Sequence, residues 1–380
     1  MAGIDGAQFT LGFAWDGSGT PRLTQAGVSP IFSPRPVTLA PTQTQVIAQD
    51  VFILGGSAAG AIAIGMARRA ARDNGPLITP KDFALDGIMG LAGGSCLVST
   101  PLAESACTAF LTTMPLQILN YNIDPGWDAR YGVATTVAFS LVRSELGGNW
   151  IPYSGYRLGG NGEAVYRPAE LVANATADVG QDAAFFALSN GAAAFLQGKP
   201  VGKFSLIGAG YGGAYSTLVN VALGAPIKLT PPMLKSSAPP KVVAEGPDVS
   251  EVARYTTFRS GGIWELASPT SSITLGRNVA LAKGHIFGGG VPNHELHHRF
   301  QISGSPDSEG RAGNGLLGFY ADYGVTAPLG YRNIPSEEDA FHFGQNMSAA
   351  AAPRTNYGKL VAAPFALSLA WAPLTLMPPK

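Results

Sequence analysis

Ile273–Gln301, ITLGRNVALAKGHIFGGGVPNHELHHRFQ, is the stretch whose reading decides the fold. Ser272–Ala280 reads as a strand and a turn, with β-branched and apolar residues on either side of Gly276. Gly288-Gly289-Gly290 lets the backbone reverse. Pro292-Asn293 is a helix entry with Asn293 as N-cap, and His294 to Gln301 contains no Gly or Pro, which predicts two helical turns. Within them His294-Glu295-Leu296-His297-His298 spells H-E-x-x-H. Positions i and i+4 share a helix face, so His294 and His298 are expected to aim their imidazoles at one metal ion. Glu295 lies beside the first of them as candidate general base. The bland alternative is a histidine-rich helix start that acquired a glutamate by chance. The chain's other histidines are His285, His297 and His342. His285 and His297 read as outer-sphere or surface residues rather than ligands.

With these residues in view, the segment resembles the zincin-like domains at the C-terminal ends of Rhs-type and other polymorphic-toxin proteins. Those domains pair a strand like "itlGn" with a helix like "HExGHxxQ". His294, Glu295, His298 and Gln301 fall on the corresponding positions, whereas His297 stands where the family has Gly. Downstream, Gly315–Tyr320 and Ser336–Gly344 resemble the family's later segments, so the likeness spans about residues 270–345. It implies a zinc-dependent peptidase acting on a protein or peptide, of the toxin or effector kind.

A catalytic zinc takes three protein ligands and keeps one position open. Glu337 is the first choice for the third, because it fits the downstream pattern; Asp339, Glu338, Asp322 and His342 stay open as alternatives. Glu338 would point about 100° away from Glu337 around a helix. Tyr320 or Tyr323 is a candidate donor to a developing oxyanion.

Composition frames the rest. The 380 residues carry formal net charge zero, and only 13% are charged, about half the usual fraction. No basic run is present to meet a phosphate backbone, which argues against a nucleic-acid partner. Uncharged apolar stretches dominate the first part: Val51–Ala67, Gly87–Ala103, Ala106–Asn122, Ala183–Gly198 and Ser205–Ile227. Phe83–Gly87 and Phe204–Gly208 share F-x-L-x-G, a weak internal repeat of a small-residue helical hairpin. These hairpins read as a soluble core of closely packed helices, with membrane insertion through residues 51–122 and 183–227 as the competing reading.

The sequence therefore predicts an α+β protein in four parts. Residues 1–48 are an extended or β segment with a strand over Phe9–Trp15; 49–227 are apolar and helical; 228–250 are a Pro-rich linker; 251–380 are a zincin-like module with an extended tail. Residues 123–180 carry mixed strand signals. Cys96 and Cys107 read as buried thiols rather than a disulfide. The N-terminus has neither a basic n-region nor an apolar h-region, so no secretory signal is expected, which leaves delivery by a secretion system or membrane association. The reading from a different class is a self-assembling structural protein, or a pore-forming one, whose H-E-x-x-H is incidental.

Overall fold

A computed structural model describes residues 9–15, 21–28, 43–72, 78–145, 153, 157–158, 164–165, 167–228, 250–268, 271–282, 291–304, 313–329, 331, 334, 336–337, 340, 362–366, 368 and 371–372. The chain is α+β: mostly helical, with a small four-stranded mixed sheet. It divides into two compact units, residues 1–40 and 41–380. The first is an antiparallel pair, β1 (Phe9–Trp15) and β2 (Pro21–Val28), whose register shifts between Gly12 and Phe13. The strand expected at Phe9–Trp15 is thus present.

The second unit opens with α1 (Gln43–Arg72), which starts inside the stretch read as extended. Pro41 precedes it, and no Gly or Pro interrupts residues 42–54, so the helix begins before the apolar run itself. α2 (Pro80–Gly94) and α3 (Pro101–Ile123) start alike: Thr79 and Thr100 cap them by accepting from the amides of Asp82 and Ala103 at 3.1 Å, each followed by Pro. The run Gly87–Ala103 is therefore two helices and a bend of 117°, not one segment. Pro115 lies inside α3 without ending it.

α4 (Ala129–Glu145) and the start of α5 (Pro168–Leu196) hold most of the described residues of the region read as mixed strand; among those residues the extended pieces are the two-residue strands β3 (Arg157–Leu158) and β4 (Ala164–Val165). Its Tyr and Trp residues gave the strand signal, but Trp127 is recruited to the core, stacked on Phe204 with ring centroids 4.3 Å apart. α6 (Val201–Leu223) completes the helical layer.

The two small-residue helix pairs follow from steric access. A Cβ on Gly90 of α2 would sit 2.2 Å from the Ser57 carbonyl of α1, and one on Gly212 of α6 would sit 2.3 Å from that of Asp182 on α5. The F-x-L-x-G likeness is not carried into packing, since Phe83 is 56% exposed and Phe204 fully buried. α1 is the one helix among the described residues long and apolar enough alone to cross a membrane, and 22% of that segment is buried.

At Gly224, whose φ of 96° suits glycine, the chain turns from α6 into β5 (Gly224–Ile227). The four-stranded order is β5, β6 (Thr257–Gly261), β8 (Asn278–Ala280), β7 (Ile273–Leu275). β5 and β7 pair antiparallel with their neighbours, and β6 runs parallel to β8. Short helices α7 (Ser250–Arg254) and α8 (Ile263–Ala267) flank β6. α9 (Val291–Ser303) and α10 (Leu316–Thr326) complete the region that carries the site. The Pro-rich linker lies almost wholly outside the described residues, as do Gly288–Gly290. In the tail, 362–366 are helical rather than extended, with Ala362 and Ala366 buried beside Leu97; three alanines in that short stretch favour helix.

Cys96 and Cys107 form a disulfide, contrary to the expectation of buried thiols. The bend between α2 and α3 brings their Cα atoms to 4.8 Å, inside bridging range. Both pack with Ile302, Leu316 and Phe319, directly behind α9.

Candidate metal centre

α9 begins at Val291, so Asn293 lies in its first turn and is not the N-cap. The helix thereby gains enough length to be held at both ends. Its polar residues are nearly all buried: His294, Glu295, His297, His298, Arg299 and Gln301 are each 7% exposed or less. A helix so polar on a buried face needs partners for every group.

His294 and His298 face one another, Nε2 to Nε2, at 3.1 Å with their rings near perpendicular. The Glu337 carboxylate closes the group, one oxygen 3.2 Å from His294 Nε2 and the other 3.3 Å from His298 Nε2. Ligands about 2.0–2.1 Å from a tetrahedral ion stand roughly 3.3 Å apart, so these separations suit one small cation. The buried group His294, His298 and Glu337 can hold a metal ion.

The hydrogen bonding around His298 fixes which of its nitrogens is the ligand. Gln301 Nε2 donates to the Ser336 carbonyl at 3.0 Å, so its Oε1 faces His298 Nδ1 at 2.8 Å. That oxygen can only accept; Nδ1 carries the hydrogen and Nε2 of the neutral ring presents its lone pair to the group. Gln301 also ties the helix bearing both histidines to the residue before Glu337. Tyr323 donates to Glu337 Oε1, and Tyr331 hydrogen-bonds the same carboxylate.

Electrostatics favour a cation here. Burial works against charging His298, but the Glu337 hydrogen bond and the nearby Glu295 and Glu337 charges outweigh it and raise its pKa. Burial likewise opposes ionising Glu337, yet the His294 and His298 rings beside it, with the Tyr323 hydrogen bond, hold it well below the usual carboxylate range.

No family model, curated protein or solved structure matches the chain. Glu295, one residue after His294, is not in the ligand group. Its Oε2 accepts from Thr274 Oγ1 of β7 at 2.6 Å. It opens instead onto a mostly apolar cleft of about 320 Å³ shared with His298, Glu337, Phe319 and Tyr323.

Among the residues nominated from sequence, His294, His298 and Glu337 converge, with Glu295 beside them. Asp322 is only partly buried and outside the group, its pKa raised by that burial. Glu338, Asp339, His285 and His342 lie outside the described residues. His297 is buried and stacks on Phe300, so it is a packing residue rather than a surface one. Both tyrosines proposed as oxyanion donors already serve elsewhere: Tyr323 binds Glu337, while Tyr320 braces the strand, accepting from the Gly276 amide at 2.7 Å and donating to the Thr274 carbonyl at 3.2 Å. Burial pushes the Tyr320 hydroxyl up to about 12.

Three contributors went unnoticed in the sequence. Thr274 holds Glu295, Tyr331 supports Glu337, and Glu104 of α3 pairs with Arg299 of α9 at 2.7 and 2.5 Å. The first could be inferred from strand alternation, since buried Thr274 lies between half-buried Ile273 and exposed Leu275. Glu104 sits 195 residues from Arg299 and gave no local signal.

Proposed function

We propose that the chain is a zinc-dependent peptidase of the H-E-x-x-H type, with His294, His298 and Glu337 as ligands and Glu295 as general base. The likeness to polymorphic-toxin zincin-like domains supports a role as a toxin or effector. The observation that carries this reading is the His298 tautomer: Gln301 directs the ring's lone pair into a buried triad that a base-bearing cleft adjoins. Zinc held by His294, His298 and Glu337 would supply Lewis acidity and acidify a bound water. The protein's own part is orientation and proton transfer. Glu295, steadied by Thr274, takes the proton of the attacking water and returns it to the leaving amine. The apolar walls of the cleft exclude bulk water and accept an apolar side chain of the substrate. The test is metal content and cleavage of an unfolded protein substrate, measured on the purified chain and on Glu295→Gln. One zinc per chain with cleavage lost only in the variant supports the proposal; a well-folded chain that takes up no zinc overturns it.

A second reading concerns where the protein acts, and α1 favours it. Val51 and Phe52 are 64% and 79% exposed on a helix of membrane-spanning length. We propose that this helix associates with a lipid bilayer. Flotation with phosphatidylcholine vesicles tests it: co-flotation that is lost in Phe52→Asp supports it, and a chain that stays at the bottom of the gradient rejects it.

A further inference from the structure

Where α4 and α5 meet the sheet, a second cavity of about 100 Å³ opens, and none of the metal-site residues lines it. Among the described residues, its charged lining is Arg143, Arg254, Arg259 and Arg277 against Asp178 and Asp182. Two of the arginines are neutralised. Arg143 Nη1 lies 2.8 Å from Asp182, and Arg259 Nη2 lies 3.0 Å from Asp178. Asp178 is further occupied by Tyr153, Ser216 and Asn220, which leaves it no capacity for another cation. Arg254 is exposed at the end of α7, over the Tyr255 ring.

Arg277 is the residue left over. It occupies the β7–β8 turn, and among the described residues its guanidinium has neither a hydrogen bond nor an ion pair, although it lines the cavity. The residue is half-buried; that burial works against its charge, which Glu104 and Asp182 favour and Arg143 and Arg299 further oppose. A guanidinium nonetheless keeps its proton at neutral pH, so such a charge calls for a counter-ion rather than neutralisation. One buried water takes about 10–15 Å³ on this measure, so the cavity has room for a tetrahedral ion.

We infer that this cavity binds an oxyanion of the phosphate class, with Arg277 as its anchor and Arg254 at its entrance. The planar fork of Arg277 suits two oxygens of such a group at once. The consequence reaches the metal site through one short turn. Gly276, next to Arg277, accepts from Arg299 Nη1 at 2.9 Å, and Thr274 of the same hairpin holds Glu295. A filled cavity thus fixes the hairpin on which the base leans.

Equilibrium dialysis of the full chain against radiolabelled inorganic phosphate, with chloride holding ionic strength constant, tests the proposal. The expected result is saturable binding of one phosphate per chain, weakened about 10- to 100-fold in Arg277→Gln and unchanged in Arg167→Gln, an exposed control. Phenyl phosphate distinguishes the source: competition marks a site for the phosphate of a larger molecule, and its failure marks one for the free ion. If Arg277→Gln does not fold, the wild-type stoichiometry and a weakened Arg254→Gln still decide. No saturable binding by the wild type, or equal affinity in Arg277→Gln, overturns the proposal.

Discussion

Arg299 and Glu104 meet through both terminal guanidinium nitrogens and both carboxylate oxygens, at 2.7 and 2.5 Å, with Arg299 wholly buried and Glu104 3% exposed. This pair clamps the helix bearing His294 and His298 to α3 of the helical layer. Arg299 also donates to the Gly276 carbonyl and to Thr256 Oγ1, so one side chain joins α9, α3 and the sheet. Removing one partner of a buried pair leaves the other charge uncompensated, at a cost of about 3–5 kcal/mol. Glu104→Gln is expected to lower stability by that amount in denaturant titration. A loss below 1 kcal/mol would mean that the clamp is solvated and dispensable.

Glu295→Gln separates catalysis from metal binding. The residue touches Thr274 rather than the ligand group, and a general base contributes roughly 10²–10⁴-fold to rate. Metal content should stay near that of the wild type while peptide cleavage falls by that factor. Equal loss of metal in Glu295→Gln and His294→Ala would make Glu295 a ligand and refute its assignment as base.

Gln301→Leu tests the tautomer argument. Leucine nearly matches the size of glutamine but leaves His298 Nδ1 without its acceptor and cuts the link to Ser336. Outer-sphere partners of this kind are worth about 10- to 100-fold in metal affinity. Competition with a zinc chelator should report that loss, with Gln301→Glu restoring most of it, since a carboxylate also accepts from Nδ1. Unchanged affinity in Gln301→Leu would show that the ring is oriented by packing on Phe319 instead.

The sequence carried this site unevenly, for physical reasons. His294, Glu295, His298 and Gln301 were legible because helical periodicity is local and places i and i+4 on one face. The strand and turn before them were legible through Gly276, whose φ of 54° suits glycine. Glu337 could only be nominated by likeness, because no local rule links it to α9. Glu104, Tyr331 and Arg277 act through the approach of distant elements, which one chain's pattern does not encode. The cysteines were misread for the same reason: eleven residues apart in sequence, they meet only because α2 and α3 bend at Pro101. Aromatic content misled the reading of residues 123–180, where Trp127 serves helix packing instead.

The Cys96–Cys107 bridge closes a short loop directly behind α9. Cross-links of such loops stabilise by about 2–4 kcal/mol, chiefly by limiting the unfolded chain. Cys96→Ser with Cys107→Ser should lower stability within that range while leaving zinc stoichiometry intact, because no ligand depends on the sulfurs. Loss of zinc binding in a folded double variant would show that the bridge also sets the position of α9.

Metal removal closes the argument, since the ligand triad should couple zinc to folding. His294 and His298 share one helix, but Glu337 approaches from a segment after α10, so an ion held by all three ties that segment to α9. A ligand that binds only the folded state stabilises it by about 2.7 kcal/mol at a hundredfold excess over Kd. Zinc should therefore raise the melting temperature of the wild type, and a chelator should reverse the rise. Glu337→Gln keeps the size of the side chain and its contacts with Tyr323 but lacks the negative charge; its response to zinc should be strongly reduced. His294→Ala should abolish the response. A zinc-dependent rise that is the same in all three proteins would place the ion elsewhere and detach the metal from H-E-x-x-H altogether.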